Sequence, residues 1–559
     1  MRLIRMISGV IGISVFLCHC SKPSDDPPPA PAPTPVTITA AQVQNQPAAP
    51  GTVLHGVSVT AKIRLRFNKK INRNTVMPAL QMQEINGGTA PAFTVSYENQ
   101  DSSLVVTPSS SLKYLTNYSF VVSPLIEGKD GGKLQTSLSL RLNTGIDSTR
   151  KFPILSDEEL LTKIQQQTFK YFWDHAHPVS GLARERNTSG DIVTSGGSGF
   201  GIMSIPVGIE RNFITRDAGL QRLQTIVSFL KNDAEKVKGA FPHWLNGSTG
   251  AIIPFSAADD GADLVETSFL IMGLLSAKAY FDGADPQETS LRNDITDIYH
   301  AVEWDWFTQG GQQTLYWHYS PNNGWAINLP ITGWNECLVT YILATASPTH
   351  GIPASVYQTG WKSGNNYLNG NSYYGYPLPL GPAFGGPMFL SHYSFLGINP
   401  QGLSDGTVNY EIHTENHSKI NYQHSIQNPH GYYGYSDSVW GLTASDIPNG
   451  YQASSPTADV SVIAPTAAIA SLPYAPAESM GALKFYYYVL GDKLFKEYGF
   501  VDAFSLDQNW FANSFLAIDQ GPIIVMIENY RTGLLWNLFS ETPEVQSALT
   551  TLGFTAPYL

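Results

Sequence analysis

The sequence predicts two folded domains, a small all-β sandwich and then a larger all-α domain whose helices form two concentric rings. Short alternating stretches such as residues 61–67 and 103–107, separated by turn residues, indicate the first domain. Helical periodicity from residue 156 onward indicates the second, because no series of strands alternates with the helices. Amphipathic helices there alternate with nearly all-apolar ones, which favours an (α/α) toroid over an elongated solenoid.

Changes in composition place the domain boundaries. We expect a signal peptide of lipoprotein type over residues 1–20 and a Pro-rich linker over 21–35. An immunoglobulin-like sandwich without a disulfide is expected over 36–147, and the helical domain over 148–559. The sandwich is expected to be a spacer, and no chemistry is assigned to it.

The first segment predicts export. Two arginines precede the apolar run of residues 7–17, which is too short to span a membrane. Cys20 is the expected lipidation site, and Cys18 or cleavage without lipidation are the alternatives. The protein is therefore expected to be an outer-membrane or periplasmic lipoprotein of a Gram-negative bacterium, attached to the membrane only by its lipid. The remaining cysteine, Cys337, is expected to be a small buried apolar residue.

Composition limits the partners. The net charge of -12 argues against nucleic acid, whose phosphates require a basic surface. Only 14% of residues are charged whereas 12% are aromatic, a balance that suits a surface stacking against sugar rings. A carbohydrate-binding monomer without nucleic-acid partners is the expectation.

Several helix starts can be read directly. Ser156-Asp157-Glu158-Glu159 has the form of a capping box, Thr215 can cap the next helix, and Asp285 precedes Pro286 at a third start. Further helical patterns cover residues 334–345, 466–471, 478–490 and 514–536.

Two other motifs are weaker. The glycine-rich stretch 194–201 lacks the lysine and the spacing of a P-loop, and we interpret it as a tight loop approaching substrate. His413 and His417 stand four residues apart, but no third ligand has a convincing spacing. A surface pair of histidines is therefore expected, and no metal site is predicted.

The chain is expected to be organised around residues 253–281. From Leu264 onward this stretch is apolar on nearly every side, as in a helix buried all round. Asp259, Asp263 and Glu266 precede or begin it with the spacing i, i+4 and i+7, so they share one face if the helix begins early. Helix capping explains Asp259 well and Glu266 poorly, because Glu266 lies deeper in an apolar helix.

Two further carboxylates open apolar stretches. Glu336 precedes Cys337-Leu338-Val339, and Asp519 precedes Gly521-Pro522-Ile523. Cleavage of a glycosidic bond requires two carboxyl groups, one protonated to donate to the leaving oxygen and one ionised. The sequence therefore predicts a catalytic site that contains at least two of Glu266, Glu336 and Asp519.

The loops of the helical domain also carry long specific motifs, including YFWDHAHPVSGLARER, DDGADLVETSFL, GWNECL, SHYSFLG, GLTASD and AIDQGPIIVMIENYRTGLLW. Over residues 150–545 they resemble the glucoamylase-like domain of Bacteroidetes proteins, the group that contains the endo-β-1,2-glucanases of glycoside hydrolase family 144. The modules before it resemble bacterial Ig-like domains. The resemblance implies an (α/α)6 barrel, no obligatory metal or other cofactor, and inverting hydrolysis of β-1,2-glucan.

Roles follow from combining the resemblance with the residues. Glu336 is the expected general acid, Glu266 the base or the group that orients water, and Asp263 and Asp519 are expected to tune or relay protons. The expected sugar contacts are polar and aromatic residues of the same motifs: His177, Arg184, His243, Asp259, Trp317, His318, Trp325, Trp334, Tyr393, Trp440 and Arg531.

Four functions remain open at this point. The chain could be an endo-acting β-1,2-glucanase, or an exo-acting enzyme that releases sophorose, with residues 361–385 a candidate block at one end of the cleft. It could act on another linkage or as a transglycosylase with retaining geometry. A non-catalytic glycan-binding lipoprotein is the fourth, although a pure binder has no need of buried carboxylates.

Overall fold

The structure is a computed structural model that describes residues 31–559 except residues 86, 89, 365 and 366. The predicted signal peptide, the lipidation site Cys20 and residues 21–30 of the linker lie outside the described residues. Within the described part of the chain, no helix combines the length and apolarity needed to cross a bilayer.

The described N-terminal residues form a five-stranded and a four-stranded sheet. The first has the order β2-β1-β4-β7-β6 and the second β3-β9-β8-β5, with all neighbours antiparallel except β3 and β9. The strands are β1 Ile38–Val43, β2 Gln46–Pro47, β3 Val53–Val57, β4 Ile63–Phe67, β5 Leu80–Glu84, β6 Phe93–Glu98, β7 Ser103–Pro108, β8 Asn117–Val122 and β9 Leu138–Thr144, with a short helix α1 Val76–Ala79.

The sandwich has its own apolar core. In β4 the side chains of Ile63, Leu65 and Phe67 are buried and the arginines between them are exposed, because alternate residues of a strand face opposite sides of the sheet. The two sheets enclose one cluster of buried side chains, separate from the core of the helical domain. Contacts with the helical domain include a hydrogen bond from the side-chain amide of Asn143 to the Leu506 carbonyl at 3.1 Å and a stack of His55 on Tyr433, with ring centroids 5.3 Å apart.

The rest of the chain is mainly helical. Its helices are α2 Asp157–Trp173, α3 Ser195–Glu210, α4 Arg216–Asn232, α5 Leu264–Tyr280, α6 Pro286–His300, α7 Leu338–Ala346, α8 Ala354–Val356, α9 Tyr410–Gln427, α10 Pro465–Ile469, α11 Pro476–Tyr488, α12 Gly491–Leu494, α13 Ala517–Thr532, α14 Leu534–Ser540 and α15 Pro543–Thr551.

The three helix starts read from the sequence are confirmed. Ser156 and Glu159 form a reciprocal capping box, the Thr215 hydroxyl accepts from Ala218 N–H, and the Asp285 carboxylate accepts from two backbone N–H groups. The later boundaries differ more. The predicted helix over 334–345 begins only at Leu338, and the one over 514–536 is divided by Gly533, whose φ of 73° ends α13.

The interpretation of residues 194–201 as a loop is wrong, because this glycine-rich stretch forms the first turns of α3. Its glycines serve packing between helices rather than loop conformation. A Cβ atom on Gly199 would overlap the carbonyl oxygen of Phe269 in α5, and one on Gly273 of α5 would overlap the carbonyl of Gly199. The two helices therefore cross with their backbones in direct contact.

Helix α5 lies at the centre of the helical domain, as the sequence predicts. Every residue from Leu264 to Ala277 is buried, and α5 packs against α3, α6, α7 and α14. Cys337, just before α7, is also fully buried, which confirms its prediction as a small core residue.

Short antiparallel strands, which the sequence does not predict, lie in the loops of the helical domain. Most of them have only two to four residues, too few to show an alternating pattern. They are β10 Ile192–Thr194, β11 Trp244–Asn246, β12 Ile252–Ile253, β13 Ala262–Asp263, β14 His318–Tyr319, β15 Leu368–Tyr373, β16 Tyr376–Leu380, β17 Ala444–Ile447, β18 Gly450–Ala453, β19 Phe495–Lys496, β20 Gly499–Phe500, β21 Phe504–Ser505 and β22 Trp510–Phe511.

Candidate active site

The acidic residues before α5 do not share a helical face as the spacing predicts. The helix begins at Leu264, with Asp263 as its N-cap, so Asp259 lies in the preceding loop. The Asp263 carboxylate accepts from the N–H groups of Val265 and Glu266 at 3.0 and 2.9 Å, which fixes the start of the helix there. The acidic residues are nevertheless brought together, by loop contacts instead of helical periodicity.

Asp263 lies between two histidines. His243 Nδ1 and His318 Nε2 are 3.3 and 3.5 Å from its second oxygen, and the pairing of β13 with β14 sets Asp263 opposite His318. Burial raises the pKa of Asp263, but the hydrogen bonds from His243 and His318 outweigh it and hold the pKa below its usual value. Asp263 is therefore an ionised anchor whose two oxygens are both occupied.

The pKa values of the two histidines are raised instead of lowered. Burial opposes a charge on His243, but the carboxylates of Glu266 and Asp263 raise its pKa to about 9. The pKa of His318 is also raised, with burial opposed by its hydrogen bond and charge interaction with Asp263. At neutral pH His243 is thus a positive imidazolium beside the carboxylates, and Asp263 favours the same charged form of His318.

Asp259 completes this group. Its carboxylate is 3.5 Å from His318 Nε2, and burial together with the charge of Asp263 raises its pKa to about 6. One Asp259 oxygen and the Nδ1 of His318 are buried with no hydrogen-bond partner among the described residues, so both remain available to a ligand. We call His243, Asp259, Asp263 and His318 the histidine–aspartate group.

This group could also hold a cation. Ligand atoms of His243, Asp259 and Asp263 lie within 4.8 Å of one another. The Asp263 oxygens, however, are already engaged by two backbone N–H groups and two imidazoles, so a metal would have to displace part of that network. The absence of a catalytic metal stays a prediction.

Glu266 is held one turn into α5, where the sequence predicts a functional carboxylate. The N–H of Gly196 donates to its Oε2 at 2.8 Å, and the Thr194 hydroxyl lies 3.4 Å from the same oxygen. Burial and the charge of Asp263 raise the pKa of Glu266 above its ordinary value, whereas the charge on His243 and the Gly196 N–H oppose the shift. A Cβ on residue 196 would overlap the Glu266 carboxylate, so glycine at this position allows the contact.

Glu336 has a different environment. Burial, followed by the negative charges of Glu266 and Asp263, raises its pKa to about 7, and only its own backbone N–H opposes the shift. The loop that carries it is fixed by Asn335, whose side-chain oxygen accepts from Cys337 N–H and from the indole of Trp361. Glu336 is therefore a carboxyl that can hold its proton close to neutral pH.

A second acidic group surrounds Asp519 in the first turn of α13. Asp502 and Asp519 are hydrogen-bonded to each other, and each has an oxygen with no other partner among the described residues. Burial and the neighbouring carboxyl raise the pKa of Asp519 far above its ordinary value, and burial raises that of Asp502 to about 7. The two carboxyls, called here the aspartate pair, therefore titrate together, and burial favours their protonated forms.

Tyr393 connects the two acidic groups. Burial raises the pKa of its hydroxyl well above 10, and the charges that add to this shift are those of Asp519, Glu336 and Glu266. Its ring packs on Phe200 and Phe269, side chains of α3 and α5. One phenol therefore lies within electrostatic reach of Glu266, Glu336 and Asp519.

Two accessible rings lie over the site, and the sequence reasoning missed both. Phe255 is 50% exposed and stacks on His243 with ring centroids 4.2 Å apart. Tyr451, on the β17–β18 hairpin, is 50% exposed and lies near the carboxyls of Asp519 and Asp502. Each group of carboxyls therefore has a half-exposed aromatic ring beside it, and such rings suit stacking on sugars.

The sequence reasoning also passed over three charged residues. Asp502 had no motif to mark it, whereas Arg186 and Asp446 lie within the motifs quoted above. Arg186 contacts Asp446 at 3.3 Å, and the Asp446 N–H donates to Asp502 at 2.6 Å. The three residues therefore form one polar network next to Asp519. Side chains that converge from residues so far apart in sequence leave no local signal.

Of the predicted sugar contacts, the structure brings His243, Asp259, His318 and Tyr393 to the carboxylates. Trp317 stacks on His318, with centroids 5.6 Å apart, at the edge of this group. Trp325 packs in a separate aromatic cluster with Trp306 and Tyr319.

The remaining predicted contacts have hydrogen-bond or packing partners of their own. His177 is 3.2 Å from Asp191, Arg184 donates to the backbone carbonyls of His175 and Gly190, and Trp334 packs edge-on against His413.

Trp440 and Arg531 have other contacts in the structure, and their roles in sugar binding stay predictions. Trp440 has no exposed surface. Arg531 pairs with Glu158 and Gln165 near the end of α13, twelve residues after Asp519 and therefore about 18 Å along the helix.

The surface location predicted for His413 and His417 is also wrong. Both are fully buried, and burial lowers the pKa of each, so they are neutral. His417 is hydrogen-bonded to Ser391 and to the Gly386 carbonyl, whereas His413 lies against the Trp334 ring. The i, i+4 spacing reflects two core contacts of α9, which the sequence could not distinguish from an exposed face.

Two family models match parts of this chain. A family model described as "Putative glucoamylase" matches residues 328–543, and a bacterial Ig-like domain model matches residues 34–144. A curated relative from Parabacteroides distasonis, named exo β-1,2-glucooligosaccharide sophorohydrolase (non-reducing end), is 44% identical over 449 residues. That match covers 76% of this chain and 62% of the relative, so the chain spans less than two thirds of the relative's length.

Solved structures of related proteins are also similar to this chain. A crystal structure from Bacteroides uniformis, described in the same words as the family model, is 54% identical with a TM-score of 0.72 and covers 73% of this chain and 100% of its own. The endo-β-1,2-glucanase from Chitinophaga pinensis is 49% identical with a TM-score of 0.71, again covering 73% of this chain and 100% of its own. This chain therefore belongs to the glucoamylase-like family of the glycoside hydrolase family 144 type, with a bacterial Ig-like domain before the family domain.

Proposed function

We propose that the protein hydrolyses β-1,2-glucan to sophorooligosaccharides. The observation that carries the proposal is Glu336, a carboxyl with a pKa of about 7, set beside the ionised Asp263 and the Glu266 carboxylate in one site. A protonated and an ionised carboxyl are what glycoside cleavage needs. The choice of linkage rests on the relatives named above, one an endo-β-1,2-glucanase and one an exo-acting sophorohydrolase.

In this mechanism Glu336 donates its proton to the oxygen of the leaving sugar. Glu266, favoured in its ionised form by His243 and by the Gly196 N–H, orients or deprotonates the attacking water. Water attack on the opposite face of the sugar ring inverts the anomeric carbon. Asp263 holds the two histidines in place, and the aspartate pair can take up or release a proton at the other side of the site.

The first test is the product pattern on linear β-1,2-glucan, with laminarin, lichenan and starch as control substrates. Endo action gives a ladder of sophorooligosaccharides that shortens with time, whereas exo action gives sophorose from the first minutes. Proton NMR of the first products reports the anomer, and inversion requires the α-anomer to appear before mutarotation. Binding of β-1,2-glucan without any product would overturn the hydrolase proposal and leave a glycan-binding protein.

The pH dependence should follow Glu336. A general acid acts only while protonated, and burial raises the pKa of Glu336 to about 7. We therefore expect kcat to fall as the pH rises through about 7, well below the pKa of about 9 at which His243 loses its charge. Initial rates between pH 5 and pH 9 measure this, each paired with an assay after return to pH 6 to separate reversible deprotonation from inactivation. A flat profile up to pH 8.5 would assign the proton donor to another group.

We propose further that the helices form an (α/α)6 barrel. Support comes from the contacts of the apolar helices, since α3 packs on α5 and α13, α5 on α7, and α13 on α10. The more amphipathic α2, α4 and α6 pack outside them, in keeping with an outer ring.

The cellular setting is a proposal from the sequence. We infer an exported monomeric lipoprotein of the outer membrane or periplasm, attached through Cys20, with the Ig-like domain as a spacer between the membrane and the helical domain. Incorporation of radiolabelled palmitate into the wild type but not into Cys20→Ala tests the attachment. Equal labelling of both proteins would contradict it.

A further inference from the structure

A second group of metal-binding side chains lies outside the carboxylate site. His424 is in the last turn of α9, His430 is in the loop that follows, and Asp459 is in the loop after β18. One ligand atom of each lies within 4.8 Å of the others. The mechanism proposed above uses none of the three.

The two inner members are fixed by partners of their own. His424 Nε2 is 3.0 Å from Asp459 Oδ2, and both side chains are nearly or wholly buried. The other ring nitrogen of His424 lies 3.0 Å from the Tyr374 hydroxyl. Metal-binding histidines are typically oriented in this way, by a hydrogen bond at the nitrogen that does not bind the metal.

Asp459 is held in the same manner. Its Oδ1 accepts from the Tyr435 hydroxyl at 2.7 Å and from the Ser461 N–H at 2.9 Å. This leaves Oδ2 facing His424 Nε2 and the exposed ring of His430. Three potential ligand atoms thus converge on one point. In His424 and Asp459 the other polar atom of the side chain, Nδ1 or Oδ1, is already hydrogen-bonded.

We propose that His424, His430 and Asp459 bind one Zn²⁺ ion, with water as the fourth ligand. Two imidazole nitrogens and a carboxylate oxygen suit Zn²⁺, whereas Ca²⁺ and Mg²⁺ prefer oxygen ligands alone. Zinc bonds of about 2 Å draw tetrahedral ligands to about 3.3 Å from one another. His430 can make this adjustment because its ring is exposed at the surface.

The bound ion would have a structural role. It joins the loop after α9 to the loop that carries Asp459, and through Tyr374 it reaches the turn of the β15–β16 hairpin. β16 packs along α9, so the ion would fix this hairpin against the helix. The hairpin lies in residues 361–385, the segment considered above as a block at one end of the site.

The test is zinc binding by the full chain after treatment with EDTA and dialysis. We expect elemental analysis to give one zinc per chain after re-addition of ZnCl2, and the melting temperature to rise with zinc. Co²⁺ in place of Zn²⁺ should give the visible absorption of a tetrahedral site. His430→Ala, at an exposed position, should lower zinc affinity on the order of 100-fold, and Tyr374→Phe about 10-fold.

Two variants serve as controls. His350 is also exposed and lies 3.2 Å from Asp305, so His350→Ala removes a similar pair and should leave zinc affinity unchanged. His243→Ala disrupts the histidine–aspartate group and should also leave the stoichiometry at one. The proposal is overturned if the wild type holds no stoichiometric zinc, if His430→Ala binds as tightly as the wild type, or if His243→Ala abolishes binding. None of these readouts depends on hydrolytic activity.

Discussion

Replacement of Glu336 by Gln is expected to lower kcat on β-1,2-glucan by about 10³-fold. The amide keeps the size of the side chain but has no proton to give to the leaving oxygen. An aryl sophorooligosaccharide should be affected far less, because its phenolate leaves without protonation. Initial rates on both substrates separate loss of the acid from general damage to the site.

The matched control is Glu288→Gln, at another buried glutamate of the same domain. Glu288 is paired with Arg216 at 2.9 Å and lies in the outer helix α6, away from the carboxylates of the site. This variant should lose some thermal stability and keep the wild-type kcat. Equal loss of rate on the aryl and glucan substrates by Glu336→Gln would refute the role of Glu336 as acid.

Gly199→Ala is expected to destabilise the fold by about 3 kcal/mol. The added methyl group would overlap the carbonyl oxygen of Phe269, and backbone atoms of two buried helices cannot move aside as a flexible side chain can. Separation of α3 from α5 would also weaken the contact of Gly196 with Glu266, so activity should fall with stability. Urea denaturation followed by tryptophan fluorescence measures the change in the free energy of unfolding.

Gly481→Ala is the matched substitution in another helix. Gly481 lies inside α11, and a Cβ atom there meets no atom within 4 Å. Alanine should stabilise this helix by about 0.5–1 kcal/mol, because glycine loses more backbone freedom on folding. A similar loss of stability in both variants would mean that close contact of α3 with α5 is not the reason for glycine at position 199.

Local sequence was sufficient wherever the controlling interaction was local. The caps at Ser156, Thr215 and Asp285 were predicted correctly, because a capping side chain and the N–H it accepts from are two or three residues apart. The buried character of α5 was predicted for a similar reason, since its apolar residues cover every side of the helix.

The glycine-rich start of α3 was not predictable in this way. Its helical state depends on α5, whose backbone fills the space that side chains would otherwise occupy. Intrinsic preference alone disfavours helix in such a stretch. The packing of the two helices outweighs that preference.

Some residues of the candidate site could be selected from the sequence and others could not. Glu266, Glu336 and Asp519 could be selected from the sequence because each is a carboxylate that begins an apolar stretch, where an unpaired charge is costly. Asp502, Tyr451 and Phe255 could not be selected, because their importance comes only from what lies beside them.

The sequence by itself determined the two-domain organisation, the class of each domain, and the carboxylates most suited to chemistry, since these follow from periodicity, capping and burial of charge along short stretches. The tertiary structure alone decided which charges and hydrogen-bond donors face each of those groups. Glu266 and Glu336 are the same residue type in similar apolar surroundings, yet only Glu266 faces His243 and the Gly196 N–H. A pKa depends on charges and dipoles within a few ångströms, and residues that distant in sequence become neighbours only through the fold.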